Sequence, residues 1–582
     1  MAVLRASFVF GALEPELLSD LADCLEIETV EGGNIIIREG DTAESMLIVV
    51  SGRLRVSRKQ ADGSLRLYNE VSPGETVGEA GMILQQRRFA DVTALRDSTI
   101  AVLRRDPFEQ LLMRHPVALN KVFAQAVYHQ LRHTPQRTQH GHAHAFVIVP
   151  LHQTQLTTEF AHSLTQALAR SGKAQLVNAA TSENFPFDDL DNAFEFLIYQ
   201  TDGQDSEWTR RAFRQADQII FVANNGDDSG VCQVEEILKA EPGFSMKRQH
   251  LALLHPAKTA LPGSLACWRS GRDVERVYPL RAGNDDDFSR LARYLTGQAV
   301  GVVLGGGGAR GFAHLGILRA LEHSNIPVDI IGGNSMGALI GAQYAKGLSL
   351  EEIREQTMAF ALGGERPTLP VISLLSGRRL ERDLRKMFGD QDIEQLWNPF
   401  FAAACNLSRA CTTVQESGLL WRAVLASNSP AGLLPPVLHN GDLLVDGAIL
   451  DNVPVDAMRS RLSTPFELRR GNGTIIAIDV DVRDDMAVDP TMARLSVSKT
   501  IKGYFSSSGE ACPGIGDILY RAGHIGGLHQ RGRTMAMADH YLQPPVADFP
   551  LMSYRRAAEI AEVGYRYAME EIGQWTKPEK PR

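Results

Sequence analysis

Two glycine-rich turns constrain this chain most, because each stands between an apolar run and a helical pattern. The run AVGVVL enters Gly305 to Gly311, GGGGARG, and the pattern FAHLGILRALEH leaves it. The run VDII enters Gly333, Asn334, Ser335, Met336 and Gly337, and ALIGAQYAKG follows. Strand, glycine turn and helix in succession predict an α/β region over about 299–575, continued by FFAAACNLS, LLVDG and TIIAIDV. Upstream, AFVIVPL, FEFLIYQ, QIIFVAN and HLALLHP alternate with helical patterns, which predicts a second α/β domain with a buried parallel sheet over 145–295. Short alternating strands broken by glycines, from about residue 29 to 105 and flanked by amphipathic stretches, predict a helix-flanked β barrel or sandwich over 1–132. Residues 133–144, HTPQRTQHGHAH, read as a linker whose His140, His142 and His144 need no ligand.

Composition excludes several classes. With 582 residues the chain needs more than one core, and 44% hydrophobic against 22% charged residues is the balance of folded globular protein. Sixty Lys and Arg against sixty-nine Asp and Glu give a net charge of -9, so nucleic acid is not an expected partner. The six cysteines include no CxxC pair and predict free thiols in a cytoplasmic protein. No window has the ~18 uninterrupted apolar residues of a membrane span, so any membrane contact is expected to be peripheral.

The chemistry concentrates in the carboxyl-terminal region. A glycine-rich strand-to-helix turn presents backbone N–H groups and the positive end of a helix dipole to an anion. Gly306, Gly308 and Gly311 also satisfy GxGxxG, but Asp329 precedes the second apolar run rather than ending it, which argues against a dinucleotide. The GxSxG elbow makes Ser335 the candidate nucleophile. Its base is either Asp446, at the end of the apolar run LLVDG, or a histidine of a Ser, Asp, His triad, for which His524, His529 and His540 lie downstream. Asp446 before Gly447 is equally a turn-initiating aspartate on this reading, and His314 fits a packing role. Asp479, Asp481, Asp484 and Asp485 read as a carboxylate-rich strand exit rather than a calcium site. Arg459, Arg461, Arg469 and Arg470 flank the loop STPFEL, either a face for lipid head groups or a solvated insertion.

The glycine loop with Arg310, the GNSMG elbow and the VDGA loop with Asn452 and Pro454 together resemble a patatin-like phospholipase domain, here 296–575. The resemblance implies a dyad without histidine: Ser335 as nucleophile, Asp446 as base, and Gly306, Gly307, Gly308 and Arg310 as the oxyanion hole, with no metal or other cofactor required. Asn334 stands where the family often has threonine, and Asp-Gly-Ala where it has Asp-Gly-Gly. The stretches DDFSRLARYLTGQAVGVVLGGGGARG, SGRRLERDL, LLWRAVLASNSPAGLLPPV and YQTDGQDSEWTRRAFRQADQIIFV resemble the neuropathy target esterase branch, which implies hydrolysis of phospholipid or lysophospholipid esters.

GNIIIREGD, VSGRLRV and VGEAGMILQQRRFADVTAL resemble a cyclic nucleotide-binding domain. That resemblance implies cAMP or cGMP as a regulatory ligand at Gly78, Glu79 and Arg88, with Glu79 on the ribose hydroxyl and Arg88 on the cyclic phosphate. Phe89 replaces a small hydroxyl residue and has the bulk to fill the phosphate pocket, and Arg87 replaces a proline. A degenerate domain that only docks or dimerises is the alternative, and a homo-oligomer stays open. The rival for the whole chain is a signalling or scaffold protein in which the hydrolase fold mainly binds lipid or a partner.

Overall fold

The computed structural model describes residues 4–115, 144–462, 473–481 and 526–575, apart from 6, 8–9, 12, 61, 64, 85, 153–155, 183–189, 192, 264 and 528–529. His140, His142, Asp484, Asp485, Arg469, Arg470, Cys512, His524 and His529 lie outside the described residues. The five described cysteines are free thiols, and no described helix is long and apolar enough to cross a membrane. Two compact units divide the chain, one made of 1–297 with 463–472 and one of 298–462 with 473–582.

In the first unit, six antiparallel strands form the expected β domain: β1 (Leu25–Val30), β2 (Ile35–Ile37), β3 (Ser45–Lys59), β4 (Leu65–Val71), β5 (Thr76–Val77) and β6 (Asp91–Arg104). The order is β1-β6-β3-β4, with β2 on β6 and β5 on β3. The helices Pro15–Asp23 and Arg105–Arg114 flank it, and Leu17, Leu18, Leu21, Phe108 and Leu111 pack with Met46, Ile48 and Leu103 from the sheet.

The same unit contains a six-stranded parallel sheet of β7 (His144–Pro150), β8 (Ala174–Val177), β9 (Phe196–Gln200), β10 (Gln218–Asn224), β11 (Arg248–His255) and β12 (Arg276–Arg281), ordered β12-β11-β10-β7-β9-β8. Its central strands are apolar runs because helices cover both faces. The β domain docks on it through buried ions. The Asp217 carboxylate takes Arg53 Nη1 at 2.7 Å and Arg96 Nε at 3.4 Å, and Arg96 also pairs with Asp191 at 3.1 Å. Burial pushes the Asp217 carboxyl up, and the two guanidiniums outweigh it and hold it low. Buried Lys247 donates to the carbonyls of Leu95 and Ala216, and loss of hydration brings its ammonium down to about 7.

The second unit is built on a mixed sheet of eight strands, β13 (Val300–Leu304), β14 (Ile330–Gly333), β15 (Phe400–Asn406), β16 (Cys411–Gln415), β17 (Val437–His439), β18 (Asp442–Asp446), β19 (Thr474–Ile478) and β20 (His540–Leu542). The order is β17-β18-β15-β14-β13-β19-β20, with β16 on β15. The middle of the sheet is parallel, whereas β15 meets β16 and β18 antiparallel. Val302, Leu304, Ile331, Ala402 and Ile476 form the core with the helices Ala313–His323, Met336–Ala345 and Ala557–Trp575. This is the α/β architecture expected from the two glycine turns.

Candidate active site

Adjacent strands end side by side. β13 lies parallel to β14 with Leu304 opposite Gly333, so the glycine loop and the elbow leave the same edge of the sheet. The elbow folds tightly because the Asn334 N–H donates to the Leu304 carbonyl at 3.0 Å and the Gly337 N–H to the Asn334 carbonyl at 2.8 Å. A Cβ at Gly337 would stand 2.1 Å from the Leu304 oxygen, so only glycine fits. Ser335 sits at φ 52° and ψ -124°, a conformation that costs a non-glycine residue about 1–3 kcal/mol and persists only where neighbours impose it. Those neighbours come from the end of the helix Leu420–Ser427. Ser427 Oγ accepts the Ser335 N–H at 2.9 Å, and Asn428 Nδ2 donates to the Ser335 carbonyl at 2.9 Å.

β18 brings Asp446 to this edge, opposite Ala404 of β15. Its side chain is 5% exposed, and Oδ1 accepts the Ala448 N–H at 3.0 Å and Asn334 Nδ2 at 3.2 Å. Asn334 is fully buried and joins three segments. Its Oδ1 accepts the Gly447 N–H at 2.9 Å and Ser427 Oγ at 3.1 Å, while Nδ2 faces Asp446 and, at 3.5 Å, Asn452 Oδ1. The residue beside the serine therefore holds the aspartate loop directly.

The glycine loop lies against the elbow. A Cβ at Gly306 would be 3.0 Å from Ser335 Cβ and 2.8 Å from Asn452 Oδ1. Asn452 clamps this loop on both sides of one residue: its Oδ1 accepts the Gly306 N–H and its Nδ2 donates to the Gly306 carbonyl, each at 3.1 Å. The Arg310 N–H is also committed, to the Gly307 carbonyl at 3.1 Å. Arg310 itself is buried, and its Nε donates to the Phe549 carbonyl at 2.8 Å, which braces the loop. Among the described residues, the N–H groups of Gly307 and Gly308 meet no protein acceptor. Gly308 has φ +54°, and a Cβ there would be 2.6 Å from the Leu551 oxygen. Of the four residues expected at an oxyanion hole, two thus keep an unspent backbone donor and two anchor the turn.

Of the histidines weighed as a base, the described His540 lies in β20 with its ring stacked on Trp575 at 3.8 Å between centroids. His314 Nε2 bonds the Gly305 carbonyl at 2.8 Å, and burial takes its imidazole down to about 4, so it braces the glycine loop in neutral form. Asp479 is engaged by Tyr541 Oη at 2.7 Å and Arg531 at 2.9 Å, and no cluster of three metal-ligating side chains occurs among the described residues. The bracing role of Asn334 is visible in sequence only as a departure from threonine. Ser427 and Asn428 carry no signal beyond their place in LASNSP.

In the β domain, Arg88 is 8% exposed and donates from Nη1 to the Gly78 carbonyl at 2.8 Å and from Nη2 to the Ser45 carbonyl at 2.5 Å. Burial draws its guanidinium below the usual range, and the Glu79 carboxylate opposes this. A Cβ at Gly78, where φ is +89°, would be 2.5 Å from Arg88 Nη1. Phe89 is 60% exposed, with its ring edge-on to Tyr68 at 5.4 Å, so its bulk is spent at the surface.

Three family models match the chain: patatin-like phospholipase over residues 302–459, cyclic nucleotide-binding domain over 27–115, and neuropathy target esterase family P-loop-like domain over 143–278. The chain is 28% identical to patatin-like phospholipase domain-containing protein 6 of Pongo abelii, over 99% of this chain and 47% of that one. It is 30% identical to patatin-like phospholipase domain-containing protein 7 of Mus musculus, over 94% of this chain and 45% of that one. With lysophospholipase NTE1 of Mycosarcoma maydis it shares 27% identity over 97% of this chain and 34% of that one. The chain spans about half the length, or less, of these curated relatives. The resemblances drawn from the sequence are borne out in all three domains.

Proposed function

We propose that this chain, with its patatin-like phospholipase domain, is a serine esterase that hydrolyses the carboxylic ester bonds of lysophospholipids and related phospholipids. The observation that carries this reading is the meeting of an aspartate and a strained serine turn on one buried asparagine, beside two unspent N–H donors. In the proposed mechanism Ser335 Oγ attacks the acyl carbonyl and Asp446 takes its proton. The carbonyl oxygen, now an anion, is held by the N–H groups of Gly307 and Gly308, each worth roughly 10²–10³ in rate. Asp446 returns the proton to the departing glycerol oxygen as the C–O bond breaks, leaving an acyl-serine. Water, deprotonated by Asp446, then attacks the acyl-serine, and the fatty acid leaves as Ser335 recovers its proton.

Rapid acid quench during turnover of lysophosphatidylcholine, followed by intact-mass measurement, tests this directly. The account expects a mass gain of one acyl group that is absent from Ser335→Ala. An equal gain in both proteins, or turnover with no acylated protein in a slowly deacylating ester, would sink it.

The first domain fits a regulatory ligand, cAMP or cGMP, at Gly78, Glu79 and Arg88. The support is the Arg88 guanidinium, which gives two of its five N–H donors to carbonyls among the described residues and keeps three for a cyclic phosphate. Calorimetric titration of the chain with each nucleotide should give saturable binding that Arg88→Ala removes. Heat that persists in Arg88→Ala would place the ligand elsewhere. The lipid substrate and the absence of a spanning helix among the described residues also fit peripheral contact with a membrane.

A further inference from the structure

Residues 366–376 form a short hairpin in the second unit. The Ser376 N–H donates to the Arg366 carbonyl at 2.9 Å and the Thr368 N–H to the Leu374 carbonyl at 3.0 Å, which leaves Leu369, Pro370, Val371 and Ile372 as its tip. Glu365 fastens the base by accepting the Leu380 N–H at 2.6 Å and Ser376 Oγ at 2.9 Å. The tip is apolar and bare: Leu369 is 81% exposed, Val371 87% and Ile372 72%. Scattered single apolar residues on a surface need no explanation, but a contiguous apolar tip on a braced hairpin marks a partner.

Charge at the base of the hairpin and in the helix that follows limits what that partner is. Arg366, Arg378 and Arg382 are exposed and, among the described residues, have no ion-pair partner; Arg378 and Arg382 share one face of the helix Arg378–Phe388. Three exposed guanidiniums without an ion-pair partner among the described residues, one at the base of the apolar prong and two in the helix that follows it, on a chain of net charge -9, fit a lipid surface that offers acyl chains to the tip and anionic head groups to the arginines. The hairpin is also tied to the active site. The N–H groups of Leu374 and Leu375 donate to the carbonyls of Gly432 and Leu433, each at 2.9 Å. That segment begins at Ser429, whose carbonyl accepts the Asp446 N–H, and follows Asn428, which holds Ser335. A cavity of about 500 Å³, walled by Leu380, Leu419, Leu425 and Leu434, lies between the hairpin base and Ser429.

We infer that the hairpin tip and its three arginines are the face on which the catalytic unit docks to a bilayer bearing anionic lipid. The inference rests on the lipid-ester reading and names the surface that presents the substrate. Flotation of the full chain, carrying Ser335→Ala so that lipid is not consumed, is measured with vesicles of phosphatidylcholine alone and of phosphatidylcholine with a minority of phosphatidylglycerol. Binding to the mixed vesicles should fall about 10²-fold or more in Leu369→Ser/Val371→Ser/Ile372→Ser. It should fall about 10- to 30-fold in Arg378→Gln/Arg382→Gln, with the loss confined to the anionic vesicles. Unchanged partition of the triple variant, no binding of the parent to either vesicle, or a parent dimer that the triple variant dissolves would each overturn the inference. Binding is scored without turnover, so absent vesicle binding with intact hydrolysis of a soluble short-chain ester by the wild type rejects the surface alone. Vesicle binding by the Ser335→Ala chain without any hydrolysis by the wild type rejects the esterase reading alone.

Discussion

Replacing Asn334 with aspartate exchanges an NH2 for an oxygen and keeps the side-chain shape. The acceptor role survives, because one carboxylate oxygen still takes the Gly447 N–H and Ser427 Oγ. The donor role is reversed: the other oxygen faces Asp446 Oδ1 at the 3.2 Å now spanned by a hydrogen bond. Two carboxylates at that distance, in an effective dielectric of about 20, repel by roughly 5 kcal/mol, and the pair then releases its second proton about 2–4 pH units higher than an isolated carboxyl. The dyad needs that second proton gone. The acidic limb of the kcat/KM profile for lysophosphatidylcholine should therefore climb by about 2–4 pH units, with activity recovered on the alkaline side. Asn334→Ala should behave differently, because it strands the buried Gly447 N–H and costs about 1–3 kcal/mol of stability without a shift of that size. A folded Asn334→Asp enzyme with an unmoved profile would refute the assignment of Asp446 as base or the contact that holds it.

Gly308→Ala should lower kcat about 10²-fold with a modest loss of thermal stability, since the new methyl group meets the Leu551 carbonyl and must move one of the two unspent donors; wild-type kcat in that variant would remove Gly308 from the oxyanion hole. Asp217→Asn should cost about 3 kcal/mol in urea unfolding, because Arg53 and Arg96 keep their burial and lose a shared carboxylate; an unchanged midpoint would contradict the docking account of the first unit. Burial, reinforced by Asp456, holds the Asp451 carboxyl up to about 7. A raised acid contributes stability that is complete below its ordinary value near 4 and is lost as pH rises through 7, on the order of 2 kcal/mol for this partly exposed group. Asp451→Asn should thus gain on the wild type between pH 4 and 8 in thermal melts, and parallel pH curves would count against it.

What the sequence made legible is what glycine chemistry dictates locally. The turns at Gly305–Gly311 and Gly333–Gly337 need close backbone approach, so they marked both the sheet edge and Ser335. Asp446 was legible as an acid ending an apolar run, but not which neighbour holds it, because Asn334 reaches it only after β14, β15 and β18 assemble. Ser427 and Asn428 act through the end of a helix packed on the elbow, a tertiary placement that no local periodicity encodes. The split within the oxyanion loop is of the same kind, since Asn452 takes the Gly306 donor from 146 positions away. In the first unit, Arg53 and Asp217 meet across 164 positions, so the docking of the β domain was invisible in either segment. The expectation for Phe89 rested on volume, and its contact is with Tyr68, at the register shift where β4 pairs β3, a placement that Phe89's own segment does not encode.

Fatty-acid release from lysophosphatidylcholine, compared among wild type, Ser335→Ala and Asp446→Asn at matched folding, tests the central claim most directly. The account predicts steady release by the wild type and a loss of at least about 10³-fold in each variant, with the residual rate supplied by the oxyanion donors and binding. Release that survives in Ser335→Ala, or that survives in Asp446→Asn while any one histidine variant abolishes it, would contradict the Ser335 and Asp446 dyad.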